Sequence, residues 1–256
     1  MLKNLYEYRE MIHSLIKRDL GGRYKNSVLG FFWTFLNPFF QLIIYTLVFT
    51  IIIPMNIDKY YIHLFVALIP WIFLSSCMTG GARVILDQQD IVKKIYFPRE
   101  ILPISYTTSQ FINMLLTMLV VFFVLFVTGH GVSMWALLFL PWVMIVQYIF
   151  CLGIVFFSCT VTVYLRDMEM ILGIIAFGWM YLTPVIYAES YVPEKYRSLY
   201  YLNPMSVIIS AYRRILYYKE KPDVSYLIQT SIVCIVILAC GIVVFRKFQR
   251  HFVEEL

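Results

Sequence analysis

Long uncharged stretches organise this chain. Residues 26–57, 60–82, 101–165 and 224–245 contain no Asp, Glu, Lys or Arg, and 170–188 is a shorter stretch of the same kind. A membrane-crossing helix needs about 20 apolar residues, each rising about 1.5 Å, to traverse about 30 Å of hydrocarbon. The stretch 101–165 would run about 98 Å as one helix. It therefore reads as two crossings joined at Gly129-His130-Gly131, where the glycines permit a turn. The pattern predicts an all-α integral membrane protein with six transmembrane helices, at about 31–53, 63–81, 103–128, 135–163, 170–188 and 224–245.

Three segments between and before these spans carry helical or interrupted apolar patterns. In the first twenty residues, Leu5, Tyr8, Ile12, Leu15 and Ile16 share one helical face, while Lys3, Glu7, Glu10 and Lys17 lie elsewhere. This predicts an amphipathic helix over 1–22, lying in the membrane interface or solvated as a leader helix. The segment is too charged for the apolar centre of a cleavable signal peptide, so none is expected. In 83–100, Val84, Ile85, Ile91, Val92 and Ile95 can face one side, and Pro98 ends any helix; a short helix along the membrane and a plain solvated loop both fit. In 189–223, the apolar run 205–212 follows Asn203-Pro204 and is too short to cross, which fits an interfacial or re-entrant segment.

Composition agrees with the pattern: hydrophobic residues make up 61% of the chain and charged residues 14%, against about 25% charged in a soluble domain. The net charge of +6 points to a bias of Lys and Arg toward the cytoplasmic side rather than to nucleic acid. With both termini cytoplasmic, the cations of 1–29, 82–100, Arg166 and 246–250 all lie inside. Lys195, Arg197, Arg213, Arg214, Lys219 and Lys221 conflict with this, because six spans place them outside. A five-span alternative merges 135–188 into a helix of about 81 Å and buries Arg166, Asp167 and Glu169, which disfavours it.

The chemistry that the sequence lacks is also informative. Neither a phosphate-binding G-x-x-x-x-G-K-[ST] loop nor His/Cys/Asp/Glu spacing for a metal is present. The five cysteines sit in apolar segments and read as small buried residues. The span interiors hold no acidic residue, which disfavours an ion-driven carrier. Phe32, Phe35 and Phe39 fall on one face of the first span, and Phe177 with Tyr181 on one face of the fifth. These faces suit a conduit over which sugars slide, or ordinary packing. Arg166 and Asp167, at a span boundary, read as an inter-helix ion pair rather than catalytic groups.

Three blocks together carry a family resemblance. The first is Arg23-Tyr-Lys-Asn-Ser-Val-Leu-Gly-Phe-Phe-Trp-Thr-Phe-Leu-Asn-Pro38, continuing into 45–49. The second is Phe97-Pro-Arg-Glu-Ile-Leu-Pro103. The third is Tyr164-Leu-Arg-Asp167, followed by Tyr181-Leu-Thr-Pro-Val-Ile-Tyr187, Val192-Pro193 and Asn203-Pro-Met205. In order and spacing the chain resembles the ABC-2 type polysaccharide export permeases, with one departure at Asn26-Ser27. The resemblance implies a single membrane domain over 1–256 that works as a homodimer. It implies two copies of a separate ATPase subunit, which hold ATP and magnesium, while this chain binds no cofactor. It assigns docking to the N-terminal helix and the coupling segment 83–97, with Arg83, Asp87, Asp90, Lys93 and Lys94 as coupling residues. It makes 190–218 a pair of re-entrant outer helices. The implied cargo is O-antigen, capsule or teichoic acid on a lipid carrier, whose anionic head would suit Arg23 and Lys25; interfacial anchoring is the other reading of that pair. The rivals are an exporter of drug, peptide or lipid, and a membrane glycosyltransferase.

Overall fold

A computed structural model describes residues 6–22, 29–52, 55 and 57–256. Helices α1 (Arg9–Gly22), α2 (Trp33–Leu47), α3 (Tyr60–Arg83), α4 (Gln89–Lys94), α5 (Ile101–Val127) and α6 (Met134–Leu137) form the first half. Helices α7 (Leu140–Tyr164), α8 (Met168–Leu182), α9 (Arg197–Leu202), α10 (Pro204–Arg213), α11 (Val224–Phe248) and α12 (Phe252–Glu255) form the second. No strand occurs among the described residues. Five helical stretches are long and apolar enough to cross a membrane: Trp33–Ile52, Tyr60–Arg83, Ile101–Val127, Met134–Tyr164 and Val224–His251. The fifth expected span, α8, is a shorter apolar helix.

Helix α3 is the axis of the bundle. Helices α2, α5, α7, α8 and α10 all pack on it, and 78% of its apolar stretch is buried, against 11% for Trp33–Ile52. Helices α7 and α11 meet backbone to backbone. A Cβ on Gly241 would sit 2.6 Å from the Gly153 carbonyl oxygen, and one on Gly153 would sit 2.8 Å from the Leu238 backbone nitrogen. Between helices in lipid, small residues allow the backbone contact that dispersion requires.

Helix α8 ends early, at Leu182 rather than at 188 as the apolar run predicts. Pro184 is the cause: a residue before proline is driven out of the helical region, and Thr183 is extended at φ −111°, ψ 140°. At 15 residues the helix spans about 22 Å. The break frees consecutive backbone carbonyls in a buried stretch, and side chains from elsewhere occupy them. The Arg213 guanidinium donates to Val185 O at 2.7 Å and Tyr187 O at 2.9 Å, and the Tyr60 hydroxyl donates to Ile186 O at 2.9 Å.

The segment after the break folds as two short helices. Asn203 caps α10, accepting from Met205 N at 3.1 Å, and its amide donates to Thr183 Oγ1 at 3.0 Å, which ties the start of α10 to the break. Pro204 occupies the first turn, where its missing N–H costs nothing. The far end of α10 is fixed by Arg213 and by Tyr212, whose hydroxyl donates to Gln147 Oε1 at 2.9 Å. Gln147 in turn donates to Pro70 O at 2.8 Å. Nearly every residue of α10 is buried.

Two stability outcomes follow. Arg213→Met removes the donors to Val185 O, Tyr187 O and His63 O and lowers stability by about 3 kcal/mol or more, since each of the three orphaned acceptors costs about 1–3 kcal/mol. Arg213→Lys falls between, because an ammonium lacks the planar fork. Gly241→Val forces α7 and α11 apart at a cost of about 1–3 kcal/mol, whereas Gly178→Ala, with nothing within 4 Å, is tolerated. Thermal unfolding of the detergent-solubilised variants reads both.

Candidate functional site

At the Arg83 end of α3, the amphipathic segments converge on one apolar cluster. Val84, Ile85, Val92 and Phe97 pack with Leu152, Phe156, Phe245 and Phe252, and Tyr8, Met11, Ile12 and Leu15 of the N-terminal region lie against them. The predicted apolar face of 83–97 is thus formed, with one correction: Ile95 is 58% exposed. The chain turns extended there, at φ −125°, ψ 133°, so Phe97 points inward in its place. Ile95 and Tyr96, the latter 99% exposed, project from the surface beside Lys93 and Lys94.

Polar contacts tie this end together. Arg246 meets Glu100 at 2.6 Å, Arg99 donates to Gln249 O, and the Tyr164 hydroxyl donates to Phe248 O at 3.1 Å. Ser109 donates to Asp19, which fastens α1 to α5. A cleft of about 840 Å³ opens between the N-terminal helix, residues 92–100 and residues 249–250. Tyr8, Lys93, Lys94, Tyr96, Arg99 and Arg250 are among the residues that line it.

The coupling candidates divide in two. Arg83 binds Asp87 at 3.2 Å and Glu169 at 3.0 Å, which joins α3 to the first turn of α8. Asp90 and Lys94 approach to 4.0 Å on the solvent face of α4, a pair worth little in stability, and Lys93 is exposed. The ion pair expected at Arg166 and Asp167 is corrected: the bridge at that boundary is Arg83–Glu169, while Arg166 and Asp167 are exposed in the turn before α8. Adjacent side chains in such a turn diverge rather than face each other. Arg23 and Lys25 lie outside the described residues.

The aromatic candidates are on outward faces. Phe32, Phe39, Phe177 and Tyr181 are exposed, Phe35 is half-buried, and the Phe177 and Tyr181 rings lie 5.4 Å apart in an edge-to-face arrangement. Helix α8 buries only Ala176 and Met180. Phe32, Phe39, Phe177 and Tyr181 thus lie outside the core of this chain. They form apolar faces on α2 and α8, both flanking α3.

At the opposite end of α3 lies a polar group that the sequence pattern did not single out. Arg213 is 3% exposed, and its guanidinium also donates to His63 O at 3.3 Å. Glu189 accepts from the Tyr201 hydroxyl and from Ser210 Oγ at 3.2 Å. Burial, reinforced by the Glu189 carboxylate, pushes the Tyr201 phenol up to about 12, so it remains the donor at neutral pH. The available signal was Arg213-Arg214 closing an apolar run, since a cation in such a place marks a buried partner. Among the described residues, no group of three or more His, Cys, Asp or Glu comes together as a metal site.

Comparison with known proteins places these features in a lineage. The sequence profile of the ABC-2 type transporter family matches residues 10–217. A Myxococcus xanthus protein named O-antigen export system permease protein RfbA is 33% identical over 258 residues, covering 100% of this chain and 99% of the relative. Two Klebsiella pneumoniae proteins of the same name are 29% and 28% identical, each covering 100% of this chain and 98% of the relative. The matched region contains the broken helix, the two short helices after it and the 83–97 segment, and this multi-pass membrane protein belongs to the ABC-2 type transporter family.

Proposed function

We propose that this chain is the permease subunit of an ATP-driven exporter that moves lipid-linked polysaccharide of the O-antigen class across the cytoplasmic membrane. The observation that carries this reading is the full-length match, at 33% identity, to a protein named as an O-antigen export permease. Exporters of drug, peptide or simple lipid are less well supported, because the relatives' names point to a polysaccharide. Capsule and teichoic acid chains share the required chemistry.

In this reading the chain is a single domain that crosses six times, with α8 and the extended residues after it completing the fifth crossing and both termini cytoplasmic. Two copies face each other across the uncovered sides of α2 and α8, so that Phe32, Phe35, Phe39, Phe177 and Tyr181 border the pathway. Residues 190–218 close its outer end. Two copies of an ATPase subunit, which hold ATP and magnesium, dock at the cleft beside Lys93, Lys94 and Tyr96. Closure of the ATPases presses on α4 and reaches α8 through Arg83 and Glu169. Arg23 and Lys25 receive the anionic head of the lipid carrier at the inner side.

The central test places purified permease and ATPase in vesicles and follows lipid-linked glycan. ATP-dependent movement of the glycan supports the reading; movement of a small drug with the glycan left in place overturns it. Two variants probe the parts. Lys93→Glu with Lys94→Glu lowers permease-stimulated ATP hydrolysis while changing stability by no more than about 0.5 kcal/mol; unchanged stimulation removes α4 from the docking surface. Phe177→Ala with Tyr181→Ala slows export about five-fold at unchanged ATPase docking, the effect of losing about 1 kcal/mol of ring contact. An export rate equal to the parent's excludes these rings from the pathway.

A further inference from the structure

Beside the Arg213 clamp is a cavity of about 370 Å³. Its volume lies in the range of small-ligand sites, about 300–1,000 Å³. His63 and Arg213 form its buried floor, and Ser190, Tyr218 and Glu220 its exposed rim. Along α3, His63 stands about 30 Å from Arg83, so the cavity is at the end of the bundle away from the 83–97 cleft.

The lining is built for hydrogen bonding and is not complete by itself. His63 is 0% exposed, yet neither of its ring nitrogens has a protein partner. A neutral imidazole holds one donor and one acceptor, and buried polar groups of this kind are rarely left unpaired. Its ring is held in place by Tyr60, stacked at 6.2 Å, and Tyr217, edge-on at 5.2 Å, so it cannot turn away to find a partner elsewhere. Arg213 uses three of its donors on backbone carbonyls, which leaves two of the five that a guanidinium carries. The Arg214 guanidinium makes no hydrogen bond or ion pair among the described residues. Glu189, already accepting from Tyr201 and Ser210, retains further acceptor capacity.

The charges select the ligand. Arg213 and Arg214 are balanced by Glu189 and Glu220, so the cavity has no net sign. An anion that approaches the arginines meets two carboxylates. A polyhydroxylated neutral molecule suits every group, because each hydroxyl both donates and accepts: one can pair with an imidazole nitrogen, others with guanidinium N–H and carboxylate oxygen. Tyr218, half exposed at the rim, presents a ring for the C–H face of a sugar. We propose that this cavity is a subsite for one neutral sugar unit of the exported chain, held at the outer end of the permease. The proposal rests on the glycan-export reading, and the site would hold the polymer after it has passed the membrane.

The test uses the permease with its ATPase partner in nanodiscs. Saturation-transfer NMR measures binding of neutral di- and trisaccharides of glucose, galactose, mannose and rhamnose, with inorganic phosphate as the contrasting probe. The expected result is saturable binding of at least one neutral sugar, weakened about ten-fold by Glu220→Gln and by Tyr218→Ala, two rim changes that leave the Arg213 bonds intact. Thermal unfolding confirms that both variants fold. Absence of sugar binding, binding indifferent to both variants, or binding of phosphate in place of sugar overturns the subsite. ATP-dependent glycan movement is followed in vesicles made from the same preparation. Glycan that moves while no sugar binds sinks the subsite alone, and sugar that binds while no glycan moves sinks the export reading alone.

Discussion

The carbonyls of Val185, Ile186 and Tyr187 impose the strongest constraint on this structure. They belong to a chain that has left its helix in a buried apolar environment, where an unpaired acceptor costs free energy that hydrocarbon cannot return. Arg213 and Tyr60 occupy all three. Because those donors come from α10 and from the start of α3, satisfying the break fixes both. Pro184 thereby determines more than the end of one helix. It creates a need for donors, and α10, a returning segment with Arg213 at its far end, meets two of the three. Carbonyl dipoles surround the buried charge, and its direct hydrogen bonds all go to backbone oxygens.

Helix α8 is held by polar contacts at its two ends and by apolar packing along one side between them. Glu169 in its first turn binds Arg83, and the chain beyond its last turn holds Arg213. In between, Ala176 and Met180 are its only buried residues. Helix α3, buried on most sides, is the opposite case and serves as the fixed frame. The two differ in sequence as well: α3 ends in an exposed arginine and begins with buried Tyr60 and His63, so each of its termini contributes to one end of α8.

Much of this was legible from the sequence. The five long helices coincide with the uncharged stretches, because length and apolarity are what a crossing demands. The amphipathic N-terminal region and the inward face of 84–97 were readable from helical spacing. The errors fall where tertiary contacts overrule local pattern. Apolarity continued to residue 188, so the run alone could not reveal that α8 stops at Leu182; Thr183-Pro184 carried that information. Ile95 was placed inward by helical spacing, but the helix ends one residue earlier and the register is lost. Arg166-Asp167 drew attention as the charged pair at a boundary, whereas Glu169 lies where α8 has begun and can face Arg83 across the gap. No spacing rule links Tyr60, His63, Gln147 and Arg213, which are distant in the chain and are assembled only by the fold.

Were the chain to cross six times, part of the charge conflict in 189–223 would ease on the same physical ground. A topological bias counts cations that remain in water beside the membrane. Arg213 is buried and bonded to backbone, so it does not belong in that count. Lys195, Arg197, Arg214, Lys219 and Lys221 remain in that count, fewer than the cations gathered around α1, α4 and the end of α11. Thus the arginine that makes the broken helix tenable is also the one that made the topology hard to read, since a charge recruited into the interior has the same letter in the sequence as one left outside.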